Sequence, residues 1–164
     1  MNHYVKIGLA ACCAVAMVTV ANAQHRPKPP TPVQRAARAV YVRQAVMTVQ
    51  QFSLGPVFGM LRGAPFDAKT AQTAAMRLVA TTGMIAAAFR TDTSKFDVKT
   101  LAKPNVWTDK AGFDMQIRDL QQAVSKMQQA AMSGDKTATL DALKGVGKSC
   151  GSCHNKFRKK LPRG

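Results

Sequence analysis

The 164-residue chain contains no glutamate, and its eight acidic residues are all aspartates, against 24 lysines and arginines, for a formal charge of +16. Cysteine is also scarce, because four cysteines over this length are too few for a disulfide-stabilised scaffold. The eleven glycines follow no regular period, which excludes a collagen-like repeat. Since 46% of the residues are hydrophobic, disorder of the whole chain is excluded despite the high charge. What is present suits a small, basic, globular protein with a single core.

The N-terminal segment is predicted to be an export signal that is removed. An apolar stretch over residues 7–20 is followed by Ala21-Asn22-Ala23, the small-x-small pattern at which signal peptidase cuts. The stretch is too short for a comfortable membrane span, so no stable membrane insertion is expected. A lipoprotein site at Cys12 is the alternative, but it would leave an apolar stretch of only residues 7–11. We therefore predict a periplasmic protein cleaved after Ala23.

Residues 24–34 are predicted to form a flexible, basic, proline-rich leader, and residues 35–161 to form the folded domain. Thr31 can cap a first helix that has Pro32 at its first position, where a missing N–H costs nothing. Gly55-Pro56 is expected to kink or interrupt this helix, and Gly63-Ala64-Pro65 to end it.

Three further helices are predicted from apolar residues that recur every three or four positions. The second is capped by Asp67, a polar loop over residues 91–105 precedes the third, and Ser133-Gly134 separates the third from the fourth. Clusters of β-branched residues with a period of two are absent. The pattern predicts an all-α protein, an antiparallel four-helix bundle. Its expected buried positions are Ala71, Ala75, Leu78, Thr82, Ile85, Phe89, Phe113, Ile117, Leu120, Val124, Met127, Ala131, Leu140, Leu143, Val146, Cys150, Cys153 and Phe157.

The most specific chemical signal is the C-x-x-C-H sequence formed by residues 150–154, which is the attachment motif of c-type haem. On a helix, Cys150 and Cys153 lie on one face and can add to the two vinyl groups of one porphyrin. His154 then provides the proximal ligand of the iron. The motif predicts one covalently attached haem c.

Two other uses of these residues are weaker. A redox-active disulfide is possible in an exported protein, but such enzymes are built on βαβ units that this sequence lacks. A zinc site would need a fourth ligand, and the only other histidine left after cleavage, His25, lies in the leader.

These features resemble the class II cytochromes c, which include cytochrome c′ and have C-x-x-C-H near the C-terminus of a four-helix bundle. The resemblance covers about residues 35–160 and is carried by three blocks. These are Arg43-Gln44-Ala45-Val46-Met47, Pro104-Asn105-Val106-Trp107, and residues 147–158 around the motif. One departure is that Val42 separates Tyr41 from Arg43, where relatives often have tyrosine directly before the arginine.

The resemblance implies roles for three residues outside the motif. Arg43 is expected near the haem propionates, Arg158 near the proximal imidazole, and Met47 at the sixth coordination position of the iron. It also implies two functions: a periplasmic electron carrier with His154 and Met47 as ligands or, alternatively, a five-coordinate module that binds NO or CO. Neither needs catalytic side chains, so we predict that the protein is not an enzyme.

The high positive charge indicates which kinds of macromolecule the protein attracts. A basic cluster follows the motif and is expected to attract acidic redox partner proteins to that end of the bundle; its members are Lys156, Arg158, Lys159, Lys160 and Arg163. Nucleic acid is disfavoured, because the chain has an export signal and no motif that reads a groove. The resemblance further implies possible homodimers that pair through the first two helices.

Overall fold

The computed structural model describes residues 28–160, so the predicted export signal, residues 24–27 of the predicted leader and Arg163 of the basic cluster lie outside the described residues. The described part contains six helices, four of them long. The long helices are α1 (Pro32–Leu61), α2 (Ala68–Gly83), α5 (Lys110–Ser133) and α6 (Lys136–Phe157), and the short ones are α3 (Ile85–Ala88) and α4 (Asn105–Thr108). Between residues 28 and 160 there is no β-strand, only an isolated bridge that pairs Ala102 with Arg158. The all-α prediction is confirmed.

Aspartate caps the N-terminus of three of the four long helices. The carboxylates of Asp67, Asp109 and Asp135 each accept a hydrogen bond from a backbone N–H in the first turn, at 2.6, 3.0 and 2.9 Å. Such bonds satisfy donors that have no partner within the helix. At the other end of α5, Gly134 takes a left-handed conformation with φ 73°, so the predicted stop is confirmed.

The first helix begins at Pro32, the first position predicted from the Thr31-Pro32 pair, so the last three residues assigned to the leader are helical. It also continues without interruption through Pro56. Proline removes one backbone donor, and the burial of Leu54, Val57 and Met60 around it holds the helix together. The helix ends where predicted, and Gly63 follows it with a φ of 106°.

The predicted second helix is divided in two. Met84 turns its backbone N–H to the carbonyl of Thr81 at 3.1 Å, a tighter turn that ends α2, and α3 begins at Ile85. Gly83, the last residue of α2, has low helix propensity and contributes to the break. The division still leaves Ile85 buried in the core, as its position in the apolar pattern predicts.

The core is the shared interior of the four long helices. α5 and α6 pack along most of their length, and α2 packs against both α1 and α5. Fully buried side chains occur on each long helix, among them Val57, Leu78, Val124, Met127 and Leu143. In the part of the chain that the structure describes, no helix is long and apolar enough to cross a membrane.

Candidate functional site

A cavity of about 690 Å³ opens between α1, α5 and α6, and it brings together residues that lie more than one hundred positions apart in the sequence. Apolar side chains from all three helices form most of its wall. All six site residues predicted from the sequence border it: Arg43, Met47, Cys150, Cys153, His154 and Arg158.

The α6 side of the cavity carries the C-x-x-C-H residues. Cys150 and Cys153 are half-buried, one turn apart, and not joined by a disulfide. Burial raises the pKa of the Cys150 thiol, and burial together with the neighbouring Cys150 raises the pKa of Cys153 to about 11. Both sulfurs are therefore protonated at neutral pH, unlike the thiolates of reactive or zinc-binding cysteines.

His154 follows on the same side of the cavity. Although the residue as a whole is exposed, desolvation of its imidazole lowers the pKa, and the positive charge of Arg158 lowers it further. The imidazole is thereby kept neutral around neutral pH, which is the form that binds a metal. The backbone N–H of Arg158 donates to the carbonyl of His154 at 3.0 Å, so both residues belong to one rigid turn.

The loop before α4, together with Asn105 at the start of α4, holds the end of α6 in place. The Lys103 ammonium donates to the carbonyls of Asn155 and Lys156 at 3.0 and 3.2 Å, and the Asn105 amide donates to the Lys156 carbonyl at 3.1 Å. The backbone N–H of Lys103 donates to the carbonyl of Phe157 at 2.9 Å. Carbonyls in the last turn of a helix have no partner within it, so these donors fix the turn that contains His154.

A second tie joins the same turn to the start of α5. The Lys156 ammonium lies 2.8 Å from the Asp109 carboxylate, which also accepts the backbone N–H of Gly112. These hydrogen bonds, first that of Lys156, lower the pKa of Asp109. Gly112 makes the approach possible, because a Cβ at this position would lie 2.7 Å from the Lys156 nitrogen and closer still to the carboxylate. Lys156 thus has an acidic partner within the chain. All three lysines at this end, Lys156, Lys159 and Lys160, are exposed.

On the α1 side, Arg43 is a charged residue within the bundle, only 4% exposed. Its guanidinium donates to the Thr93 hydroxyl at 2.8 Å and to the Thr91 carbonyl at 3.4 Å. The same group lies 5.2 Å from the ring of Phe89 and 5.4 Å from that of Trp107. Burial lowers the pKa of Arg43, and the charge of Asp92 opposes that change; the group stays protonated. Arg43 therefore fastens the loop after α3 to α1, and its approach to haem propionates stays a prediction.

Two further α1 residues complete this side. Met47 is half-buried and lines the cavity one turn after Arg43. Gln50 also lines it, is 7% exposed, and has a side-chain nitrogen that is buried without an acceptor. No motif in the sequence marks Gln50, Thr93 or Lys103. A signal for Gln50 exists, because it continues the three- and four-residue spacing of buried positions from Val40 to Leu54.

The residues around the cavity fit a c-type haem. The volume lies within the range of about 300–1,000 Å³ that is typical of cofactor sites, and the wall is apolar with a few polar groups. Two protonated thiols on one helix face and a neutral imidazole in the next position would supply the two thioether links and an iron ligand. Between residues 28 and 160, no group of three or more histidine, cysteine or acidic side chains is arranged to hold a bare metal ion.

Comparison with known proteins agrees with this interpretation. The family described as "Cytochrome C'" matches residues 38–158. Cytochrome c′ of Rubrivivax gelatinosus is 34% identical over 128 residues, which cover 77% of this chain and 98% of that protein. Cytochrome c-554 of Cereibacter sphaeroides is 32% identical over 126 residues, 75% of this chain and 94% of the relative.

Solved structures give the same result. The crystal structure of the Rubrivivax gelatinosus protein superposes with a TM-score of 0.70 at 34% identity, covering 76% of this chain and 97% of the other. A nitric oxide complex of a cytochrome c′ variant from Alcaligenes xylosoxidans superposes with a TM-score of 0.70 at 30% identity, covering 77% and 97%. The chain belongs to the cytochrome c′ family, whose members are haem proteins with a covalently attached c-type haem, folded as four-helix bundles.

Proposed function

We propose that this protein binds a diatomic gas, NO or CO, at a haem iron whose sixth position is open. The observation that carries the proposal is the likeness to cytochrome c′ structures described as nitric oxide complexes, one with a TM-score of 0.70 at 30% identity. A ferrous variant of the same protein with bound NO is also similar, with a TM-score of 0.68. The sequence favoured electron transfer as the main function, and these structures favour gas binding instead.

In this proposal the α6 side of the cavity holds the cofactor. Cys150 and Cys153 supply the two thioether sulfurs, and His154 is the proximal iron ligand. Arg158 places a positive charge beside the imidazole, which disfavours the imidazolium form and weakens the electron donation of the imidazole nitrogen to the iron. When bound, the haem supplies an iron site at which a small neutral gas can coordinate.

The α1 side of the cavity limits what can enter. Met47 lines the cavity together with apolar residues that include Ile85, Phe89 and Leu120. Such a surface offers little to water and favours small, neutral, weakly hydrated molecules. Arg43 provides a permanent positive charge on this side of the cavity and is proposed to offset the propionates, because it lines the cavity while its loop contacts hold the guanidinium.

Titration of the ferrous holoprotein with NO and CO, followed by absorption spectroscopy, tests the proposal. We expect each gas to bind at one equivalent per haem without prior loss of a protein ligand. Replacing Met47 with Ala should leave the stoichiometry unchanged and raise the association rate by opening the pocket. A wild-type protein that binds neither gas, but does so once Met47 is replaced, would contradict an open sixth position.

Electron transfer with Met47 as the sixth ligand is the second candidate. It is favoured by the position of Met47, whose thioether is the sulfur that α1 brings to the cavity. An acidic redox partner would then be attracted by exposed lysines beside the motif, chiefly Lys159 and Lys160, because Lys156 is paired with Asp109. The rate of reduction by an anionic donor should then fall as salt rises, and replacing both lysines with Gln should weaken that dependence.

We also propose that two copies pair through α1 and α2. Large apolar side chains are exposed on these two helices, with Phe52 at 71%, Tyr41 at 68% and Met76 at 51%. Replacing Phe52 with Glu should shift the sedimentation of the holoprotein from dimer to monomer, whereas the same change at Met115 on α5, also exposed, should not. A wild-type protein that sediments as a monomer would contradict the pairing.

Export to the periplasm with cleavage after Ala23 is proposed from the sequence of residues 1–23 alone. Purified periplasmic protein should begin at Gln24 and have the mass of residues 24–164 plus one haem. An acylated Cys12 would establish the lipoprotein alternative.

A further inference from the structure

Gln50 is the feature of the cavity that the proposed roles leave unexplained. Its side chain is 93% buried on the α1 side, and its amide nitrogen has no acceptor. In the described part of the chain, the other buried side-chain polar atom without a partner is an acceptor, the Asn105 oxygen, which does not line the cavity. A buried donor without an acceptor destabilises the folded protein, so its presence at a ligand cavity needs an explanation.

Other polar residues that line the cavity have hydrogen-bond partners or are exposed. The Arg43 guanidinium is bound to Thr91 and Thr93, and Gln116 donates to Asp119 at 3.4 Å. Gln44 and Gln51 are exposed, so water can satisfy their amides. Gln50 is the cavity-lining amide that combines burial with a free donor in the region that the structure describes.

The position of Gln50 on α1 relates it to Met47. Three residues along a helix correspond to about 60° of rotation and 4.5 Å of rise, so the two side chains lie on neighbouring parts of one face. Rotation about the last side-chain bond of glutamine exchanges its nitrogen and oxygen at little cost. The amide can thus turn a donor toward a molecule that enters beside Met47.

We propose that Gln50 donates a hydrogen bond to the diatomic gas bound in this cavity. The inference rests on the proposed gas-binding function and adds a residue that selects for ligands able to accept a hydrogen bond. Carbon monoxide and nitric oxide have lone pairs and no proton to donate, so a donor is the complementary group. The surrounding wall is apolar, and a hydrogen bond is electrostatically stronger there than in water.

The test uses the ferrous CO complex of the holoprotein and three chains: wild type, Gln50→Leu, and Gln122→Leu as a control at an exposed position outside the cavity lining. A donor beside the CO oxygen favours electron donation from iron into the ligand and lowers the C–O stretching frequency. We therefore expect a higher frequency in Gln50→Leu and a dissociation constant for CO raised about fivefold, the equivalent of one hydrogen bond near 1 kcal/mol. Gln122→Leu should match wild type.

Thermal melting of the CO-free protein distinguishes the proposed role of Gln50 from a purely structural one, because the two predict different changes in the melting temperature. If Gln50 were only structural, Gln50→Leu would destabilise the protein, whereas removal of an unsatisfied buried donor should leave the melting temperature unchanged or raise it. A second measurement needs no folded variant, since a hydrogen-bonded CO should shift its stretching frequency when D₂O replaces H₂O.

The outcomes separate the two proposals. A wild-type protein that binds neither CO nor NO overturns both gas binding and the role of Gln50. Binding of CO with equal frequencies and constants in wild type and Gln50→Leu overturns only the role of Gln50. A D₂O shift that persists in Gln50→Leu assigns the donor to a trapped water and also overturns it, and absence of any shift in wild type does the same.

Discussion

The two sides of the cavity are built in different ways. On α6, the five consecutive residues proposed to hold the haem lie at the helix end, and the backbone of their last turn is bound by Lys103 and Asn105. On α1, the cavity-lining side chains are spaced by single turns, and Arg43 is bound through its own guanidinium to Thr93. In this proposal, covalent attachment is specified by a short local motif on a fixed helix end. The environment of the ligand instead depends on how separate elements pack around single side chains.

The largest effect is expected when the two thiols on α6 are removed. Replacing both Cys150 and Cys153 with Ala should abolish covalent attachment, so that acid–acetone extracts all haem and the protein mass lacks it. Ser152→Ala changes an exposed residue inside the same motif and should retain the haem fully. Covalent haem in the double variant would show that the motif is not the attachment site.

On the α1 side, the largest effect on stability is expected at Arg43. Arg43→Lys removes the planar group that reaches Thr93 and stacks near Phe89 and Trp107, and it should lower the free energy of unfolding by about 1–3 kcal/mol. Arg38→Lys, at an exposed position of the same helix, should change it by less than about 0.5 kcal/mol. Urea denaturation measures both, and equal midpoints for the two variants would refute a fastening role for Arg43.

Two glycine substitutions test the contact between the start of α5 and the end of α6. Gly112→Ala forces apart the Asp109 carboxylate and the Lys156 ammonium, and loss of this cap should cost about 1 kcal/mol in stability. Gly145→Ala places the same methyl group in open space within α6 and should stabilise by about 0.4–1 kcal/mol. Opposite signs in thermal melting are the expected result. If both variants gain stability, the tie between α5 and α6 is unimportant.

The smallest expected effect is the pH dependence of that tie. The hydrogen bonds from Lys156 and Gly112 lower the pKa of Asp109 in the folded state. Its stabilising contribution is therefore complete above the ordinary value of about 4 and is lost as the pH falls through the folded-state pKa. Between about pH 5 and pH 2 the melting temperature of Asp109→Asn should fall less steeply than that of wild type. Asp97→Asn, at an exposed loop position, should follow the wild-type slope.

The sequence predicts more of the α6 side than of the α1 side, for a physical reason. C-x-x-C-H, the aspartate caps and the glycine at 134 act through neighbouring residues, so spacing alone identifies them. Lys103 binds carbonyls about 50 positions away, and Gln50 lines a cavity together with residues about 100 positions away. No local sequence pattern contains such relations. The uninterrupted α1 shows the same limit, because burial around Pro56 outweighs the local preference of proline to end a helix.

The most direct test of the central claim is the spin state of the iron in the purified holoprotein at neutral pH. Absorption and resonance Raman spectra of the ferric and ferrous forms distinguish five-coordinate high-spin haem from six-coordinate low-spin haem. An open sixth position predicts high-spin, five-coordinate spectra that Met47→Ala leaves unchanged. A low-spin spectrum in wild type that becomes high-spin in Met47→Ala would contradict it and would make Met47 the sixth ligand of an electron carrier.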